Sequence, residues 1–193
     1  LCLVDREPRS LSPKDRELLQ DLAAMAEDEI AAIQSATIDH LTQMSNRRGF
    51  EVLGNHVLAT CARLSLPATL LFFDLDGFKQ INDQHGHSEG DRALQRFAEA
   101  MSLTFRTSDV YARLGGDEFV VLLSNTSEPE IHAALERLQH AIDASNANVV
   151  PGLHLRFSAG AVTSEAGSED IAALLRKADQ RMYENKRLRR TAV

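Results

Sequence analysis

Cysteine is nearly absent: Cys2 and Cys61 are the only two in 193 residues. That is too few for a disulfide framework or a four-ligand zinc site, and it suits a reducing, cytoplasmic setting. No apolar run approaches the ~20 residues that a membrane-spanning helix needs, and no charged-then-apolar leader opens the chain. Positive charge is in deficit as well. With 21 Lys and Arg against 28 Asp and Glu, the formal net charge is −7, which disfavours a general binder of nucleic acid or anionic membranes; an anionic ligand has to be caught by a local cluster. There is no internal repeat, no low-complexity tract and no initial Met, so the chain is expected to be a piece of a longer protein. What is present, 44% hydrophobic and 25% charged residues, suffices for one good-sized domain plus an appendage.

The stretch Arg113-Leu114-Gly115-Gly116-Asp117-Glu118-Phe119 lies between two apolar runs, Val110-Tyr111-Ala112 and Phe119-Val120-Val121-Leu122-Leu123. It reads as a hairpin with a two-residue Gly115-Gly116 turn, since both glycines can take positive φ. The turn hands the chain to two carboxylates, Asp117 and Glu118. Upstream, Ala68 to Phe73 is apolar almost throughout and reads as a central strand buried on both faces. It ends on Asp74-Leu75-Asp76. If the hairpin pairs beside this strand, Asp74 and Asp117 converge and repel unless a cation or a proton sits between them. Mg²⁺ takes a few carboxylate oxygens plus substrate phosphates, so a nucleoside triphosphate with its metal is the expected ligand.

Elsewhere, Leu1 to Val4 reads as the end of a strand. Ser12-Pro13-Lys14-Asp15 then starts a helix running to about Ala36. Its Leu19, Ala23, Ala26, Ile30 and Ile33 recur at steps of four and three, a narrow seam suited to a partner helix or, equally, to packing on the helix's own domain. Further helices are predicted over Arg47 to Leu64, with Phe50, Leu53, Val57 and Leu58 inward, and over Lys79 to Gln84, Ser88 to Phe105, Glu128 to Ala144 and Glu169 to Lys186. A strand is predicted over Leu153 to Val162, with Gly160 marking a bulge. Strands alternating with helices make an α/β fold around one mixed central sheet flanked by helices.

Gly115-Gly116-Asp117-Glu118-Phe119 matches, letter for letter, the signature of the GGDEF domains, the diguanylate cyclases. The segment Asp74-Leu75-Asp76-Gly77-Phe78-Lys79-Gln80-Ile81-Asn82-Asp83 through Asp91 is similar to theirs at matched spacing, as is the entry motif Asp39-His40-Leu41-Thr42-Gln43-Met44-Ser45-Asn46-Arg47-Arg48. The resemblance implies a palm-like, ferredoxin-related nucleotidyl cyclase fold over 37–193. The strand and helix of 1–36 resemble the end of a GAF sensor domain, which implies an upstream sensor in the full-length protein.

The activity implied is condensation of two GTP into cyclic di-GMP by a homodimer, with Mg²⁺, or Mn²⁺ in its place, as cofactor. By resemblance, Asp74, Asp117 and the Leu75 carbonyl hold the metal. Asp117 also matches the proton acceptor, Glu118 shares the metal or its surroundings, and Lys79 stabilises phosphate charge. Asn82 and Asp91 match the guanine-reading positions, His87 a nucleotide-contacting one, and Lys186 and Arg190 the phosphate-binding ones. Arg106-Thr107-Ser108-Asp109 matches the family's inhibitory product site, with Arg106 at the end of a helix and Asp109 opening the strand. Departures from the pattern are Arg189 where the family carries Gly, and Gln43-Met44 in place of Gly-Leu. The competing expectation is a silent module of the same fold that binds GTP or cyclic di-GMP without turnover.

Overall fold

The computed structural model describes residues 10–164 and 169–191, and the strand expected at Leu1 to Val4 lies outside them. The chain divides into a first unit, Leu1–Ala36, and a second, Thr37–Val193.

The first unit is carried by α1 (Pro13–Thr37). Its start is capped reciprocally: the Asp15 amide donates to Ser12 Oγ at 3.2 Å, while the Ser12 amide and hydroxyl donate to Asp15 Oδ2 at 3.0 and 2.7 Å. Each such cap satisfies backbone donors that the first helical turn leaves open. No residue of α1 is buried. Leu18, Leu22 and Met25 are exposed alongside Ile30 and Ile33, so the apolar surface is wider than the seam read from the sequence.

The second unit opens on the entry motif, where Asn46 caps α2 (Arg47–Leu64) by accepting from the Gly49 amide. There follow β1 (Ala68–Leu75), α3 (Phe78–His85), α4 (His87–Thr104), β2 (Val110–Gly115), β3 (Glu118–Ser124), α5 (Glu128–Asn146), β4 (Phe157–Ser164) and α6 (Ile171–Thr191). The sheet order is β2-β3-β1-β4. Neighbouring strands are antiparallel throughout, and the parallel component is an isolated bridge between Ser45 and Ala112 on the outer edge of β2. This is the βαββαβ, ferredoxin-like succession.

β1 is apolar on both faces because helices cover both. On one face, Leu71, Phe73 and Leu75 pack with Phe119, Val121 and Leu123 of β3 against Leu94, Phe97 and Met101 of α4 and Leu138 and Ile142 of α5. The rings of Phe97 and Phe119 lie 4.8 Å apart, centre to centre. On the other face, Leu70 and Phe72 meet Phe50 of α2 and Leu174, Ala178 and Met182 of α6.

Several local expectations change. β4 begins at Phe157, because 151–153 form a 3-10 turn. Gly160 is no bulge, since the β1–β4 register runs unbroken through it. A Cβ there would lie 2.3 Å from the Ala178 carbonyl oxygen and the Met182 amide nitrogen, so α6 lies directly on that glycine. Leu53 is 46% exposed rather than inward. The basic stretch at the C-terminus is helical through Thr191. On the outer side of β4, Arg181 donates to the Ala161 carbonyl at 2.7 Å and Asn185 to the Ala159 carbonyl at 2.9 Å.

Candidate active site

The hairpin places its carboxylates one residue differently from the sequence reading. Gly115 still pairs with Glu118, with a register shift between Arg113 and Gly115, so the two turn residues are Gly116 and Asp117. Gly115 (φ 145°) and Gly116 (φ 53°) both have positive φ, a backbone shape that a side chain resists. Asp117 is therefore displayed by the turn itself, while Glu118 starts β3 directly across from Asp74.

Arg113, to which the sequence reading assigned no role, anchors this turn. Its Nε donates to the Gly116 carbonyl at 3.0 Å, and its Nη1 lies 3.1 Å from both carboxylate oxygens of Asp39. Asp39 in turn accepts from the Thr42 amide and hydroxyl at 2.9 and 2.6 Å. Burial works against the charge on Asp39, but the Thr42 bonds and the Arg113 guanidinium outweigh it and hold the carboxyl below its ordinary range. The entry motif thus serves to fix the hairpin from its open side. Within it, Gln43 occupies the left-handed region at φ 59° with its amide on the His40 carbonyl. Met44 is 6% exposed in the core.

At the end of β1 the acids gather as expected. Burial pushes the Asp117 carboxyl above its ordinary value, the charge of Asp74 pushes it further, and Lys186 and Arg113 pull the other way. Glu118 is also raised, by burial first; Arg47, 3.7 Å away, opposes this, while Asp179, Asp117 and Asp74 add to it. The Leu75 amide donates to the Asp117 carbonyl at 3.3 Å, tying strand end to turn. Lys186 reaches in from α6, on the sheet face that Asp74 shares with Leu70 and Phe72, its Nζ bonded to Asp74 and 3.5 Å from Asp76. Asp76 also accepts from the Ser158 hydroxyl at 2.9 Å.

The donor set fits a hard divalent cation. Carboxylates whose charges help to raise the proton affinity of Asp117 and Glu118, and that have already drawn in one ammonium, favour positive charge between them. Among the described residues no three His, Cys, Asp or Glu stand together as a ready metal cage. A cation resting on Asp74 and Asp117 would take its remaining ligands from outside the protein, which is how Mg²⁺ binds with phosphates.

The guanine candidates assemble separately. A Cβ on Gly90 would fall 2.0 Å from Asn82 Oδ1, so the Asn82 side chain rests on the start of α4, the helix that carries Asp91 and the exposed His87. Lys79 lies one turn before Asn82 on α3, exposed, and α3 leaves β1 through Asp76-Gly77. The side chain of Arg190 lies outside the described residues.

Arg106 and Asp109 stand at the far end of β2 from the turn, in the loop between α4 and β2. Asp109 Oδ2 accepts from the Arg106 amide at 2.9 Å, and the Arg106 guanidinium points instead to Glu130, 3.9 Å away. The aspartate shapes the loop and leaves the arginine head 67% exposed. Asp109 is raised above its ordinary value by burial, against the Arg106 amide and the charges of Arg106 and Arg137.

The chain is similar to known proteins over most of its length. The chain is 32% identical over 168 residues to the probable diguanylate cyclase DgcC of Escherichia coli, covering 87% of this chain and 45% of that protein. It is 34% identical to the diguanylate cyclase DosC of the same species, covering 81% of this chain and 34% of that one. It therefore spans less than half the length of either. The solved GGDEF domain of TpbB (YfiN) from Pseudomonas aeruginosa matches with 33% identity and a TM-score of 0.71, over 78% of this chain and 89% of that one. The coiled coil and GGDEF domain of DgcB from Caulobacter crescentus, in complex with c-di-GMP, gives a TM-score of 0.81 over 89% of this chain and 92% of that one; at 22% identity it shares the fold. With residues 36–192 matched by the model described as diguanylate cyclase, GGDEF domain, the chain belongs to the GGDEF family of diguanylate cyclase domains.

Proposed function

We propose that the chain condenses two GTP into cyclic di-GMP and two pyrophosphates. The observation that carries this is the meeting of Asp74, Asp117 and Glu118 at the end of β1, with Lys186 drawn onto Asp74. Mg²⁺ on Asp74, Asp117 and the Leu75 carbonyl would supply Lewis-acid polarisation of the α-phosphate. The protein's own groups do the rest. The 3′-oxygen of one GTP forms a bond to the α-phosphorus of the other as the bond to pyrophosphate breaks, and the hydroxyl proton passes to a carboxylate. Asp117, with its raised proton affinity, is better matched to that task than an ordinary aspartate. Lys79 and Lys186 offset the phosphate charge, and Asn82 and Asp91 supply the amide and carboxylate that a guanine edge requires.

One chain offers one such site, so joining two GTP calls for two chains face to face. Helix α1, whose apolar surface includes Leu22, Met25 and Ile30, is the control we assign to that encounter, coupled to an upstream sensor of GAF type. Incubation with GTP and Mg²⁺ should yield cyclic di-GMP, identified by mass, with specific activity rising with protein concentration. GTP binding without product, in a sample shown to dimerise, would return the chain to the silent-receptor reading.

Feedback by product belongs to the same proposal. The exposed Arg106 fork suits a phosphate or guanine edge, and the ligand would clamp the base of the strand that leads to Asp117. Arg106→Ala is expected to keep its initial rate and lose inhibition by added cyclic di-GMP. Superimposable inhibition curves for the two proteins would remove Arg106 from the feedback site.

A further inference from the structure

Beside the acidic end of β1, on the side away from the hairpin, opens a cavity of about 970 Å³ that includes Asp76, Gly77 and Lys186 in its lining. It also carries a cation that the reading above does not use, Arg156. The Asp76 amide donates to the Arg156 carbonyl at 2.8 Å, which extends the β1–β4 ladder by one pair beyond Leu75 and Phe157. Side chains of a strand alternate between faces. Arg156 therefore shares a face with Ser158, whose hydroxyl donates to Asp76, and with the Asp74–Asp76 row onto which Lys186 reaches. Asp74, Asp76, Ser158 and Lys186 are all committed to one another. The Arg156 side chain is exposed, and among the described residues its guanidinium has no hydrogen-bond or ion-pair partner. The one carboxylate on the opposite wall, Asp143, accepts from Gln139 at 2.9 Å.

We infer that Arg156 is a further contact for the β- and γ-phosphates of the incoming nucleotide, made across this cavity beside Lys186. The inference rests on GTP being the substrate. A triphosphate carries more negative charge than a single divalent cation offsets, and its terminal phosphate presents paired oxygens that a planar guanidinium meets with two parallel N–H donors. Lys186, which offsets phosphate charge in the proposed reaction, is shared with Asp74 and Asp76. Arg156, one strand over on the same face, is the free fork.

The test is a binding titration in Mg²⁺ with two probes: guanosine 5′-(α,β-methylene)triphosphate, which cannot be cleaved at the reacting bond, and GMP, which lacks the tail. Arg156→Ala should weaken the triphosphate about tenfold, in line with loss of a charge-assisted contact, and leave GMP binding unchanged. Arg156→Lys should recover part of the loss. Equal triphosphate affinity in wild type and Arg156→Ala overturns the inference while leaving GTP as substrate. So does an equal loss for both probes, which would mean that the substitution acts on the guanine end or the fold. A wild type that binds neither probe overturns the GTP reading itself, and this inference with it.

Discussion

Asp117→Asn is expected to lower cyclic di-GMP formation by ~10²–10³-fold or more, the range seen when a single preorganised electrostatic group is removed from an active site, while the folded protein becomes no less stable. The two halves of that expectation have one cause. Burial and the charge of Asp74 raise the Asp117 carboxyl above its ordinary value. For an acid, a folded-state pKa above the unfolded one means that the charged form is disfavoured by folding. Wherever the pH lies above both values Asp117 therefore destabilises the fold, and the neutral amide removes that penalty. The same carboxylate is the proposed cation ligand and proton acceptor, roles an amide performs poorly. Product yield and melting temperature, measured on the same sample, should move in opposite directions or the second should stay put. Undiminished turnover would remove Asp117 from the site. Loss of turnover accompanied by a lowered melting temperature would mean that the residue is structural.

Gly160→Ala should be the most damaging single methyl in the second unit. The added carbon would meet the Ala178 carbonyl oxygen and the Met182 amide nitrogen at 2.3 Å and Met182 Cα at 2.8 Å. All three are backbone atoms of α6, so no rotamer change relieves the clash and the helix itself must move. Overpacking of this kind costs about 1–3 kcal/mol, and for a chain of this size each kcal/mol lowers the melting temperature by roughly 2–4 °C. Activity should fall further than stability alone accounts for, because the displaced helix carries Lys186. Gly54→Ala is the control: its new carbon meets the Ile171 side chain at 3.0 Å, which can turn aside. Equal melting temperatures for the two variants would show that α6 does not rest on Gly160 as described.

The parts of this molecule that were readable in the sequence are those set by local chemistry. β1 was legible because a strand buried on both faces must be apolar throughout. The hairpin was legible because a Gly-Gly pair between β-forming runs has few other uses. Its turn slipped by one residue because Gly115 spends its positive φ on the register shift, leaving Gly116-Asp117 to turn the chain. β4 was begun too early because Leu153 and Leu155 are apolar in a loop that packs on the core. Gly160 was correctly singled out and wrongly explained: a missing Cβ looks the same in sequence whether it serves a bulge or a helix crossing. Pairings between distant positions left no local trace at all. Asp39 with Arg113 spans 74 residues and Asp74 with Lys186 spans 112, and neither pair differs by composition from any acid and base on the surface.

The two borders of the sheet are each partly covered, and by different means. Ser45 bridges Ala112 along β2, while Arg181 and Asn185 occupy the outward carbonyls of β4. An open strand border is a template on which another chain can grow the sheet, the route by which folded proteins form unintended fibres. With those acceptors plugged by side chains of the protein's own helix, self-association is left to surfaces where contacts are made by side chains and are reversible. For a domain whose proposed chemistry requires two copies to meet and part repeatedly, that separates productive encounter from irreversible aggregation.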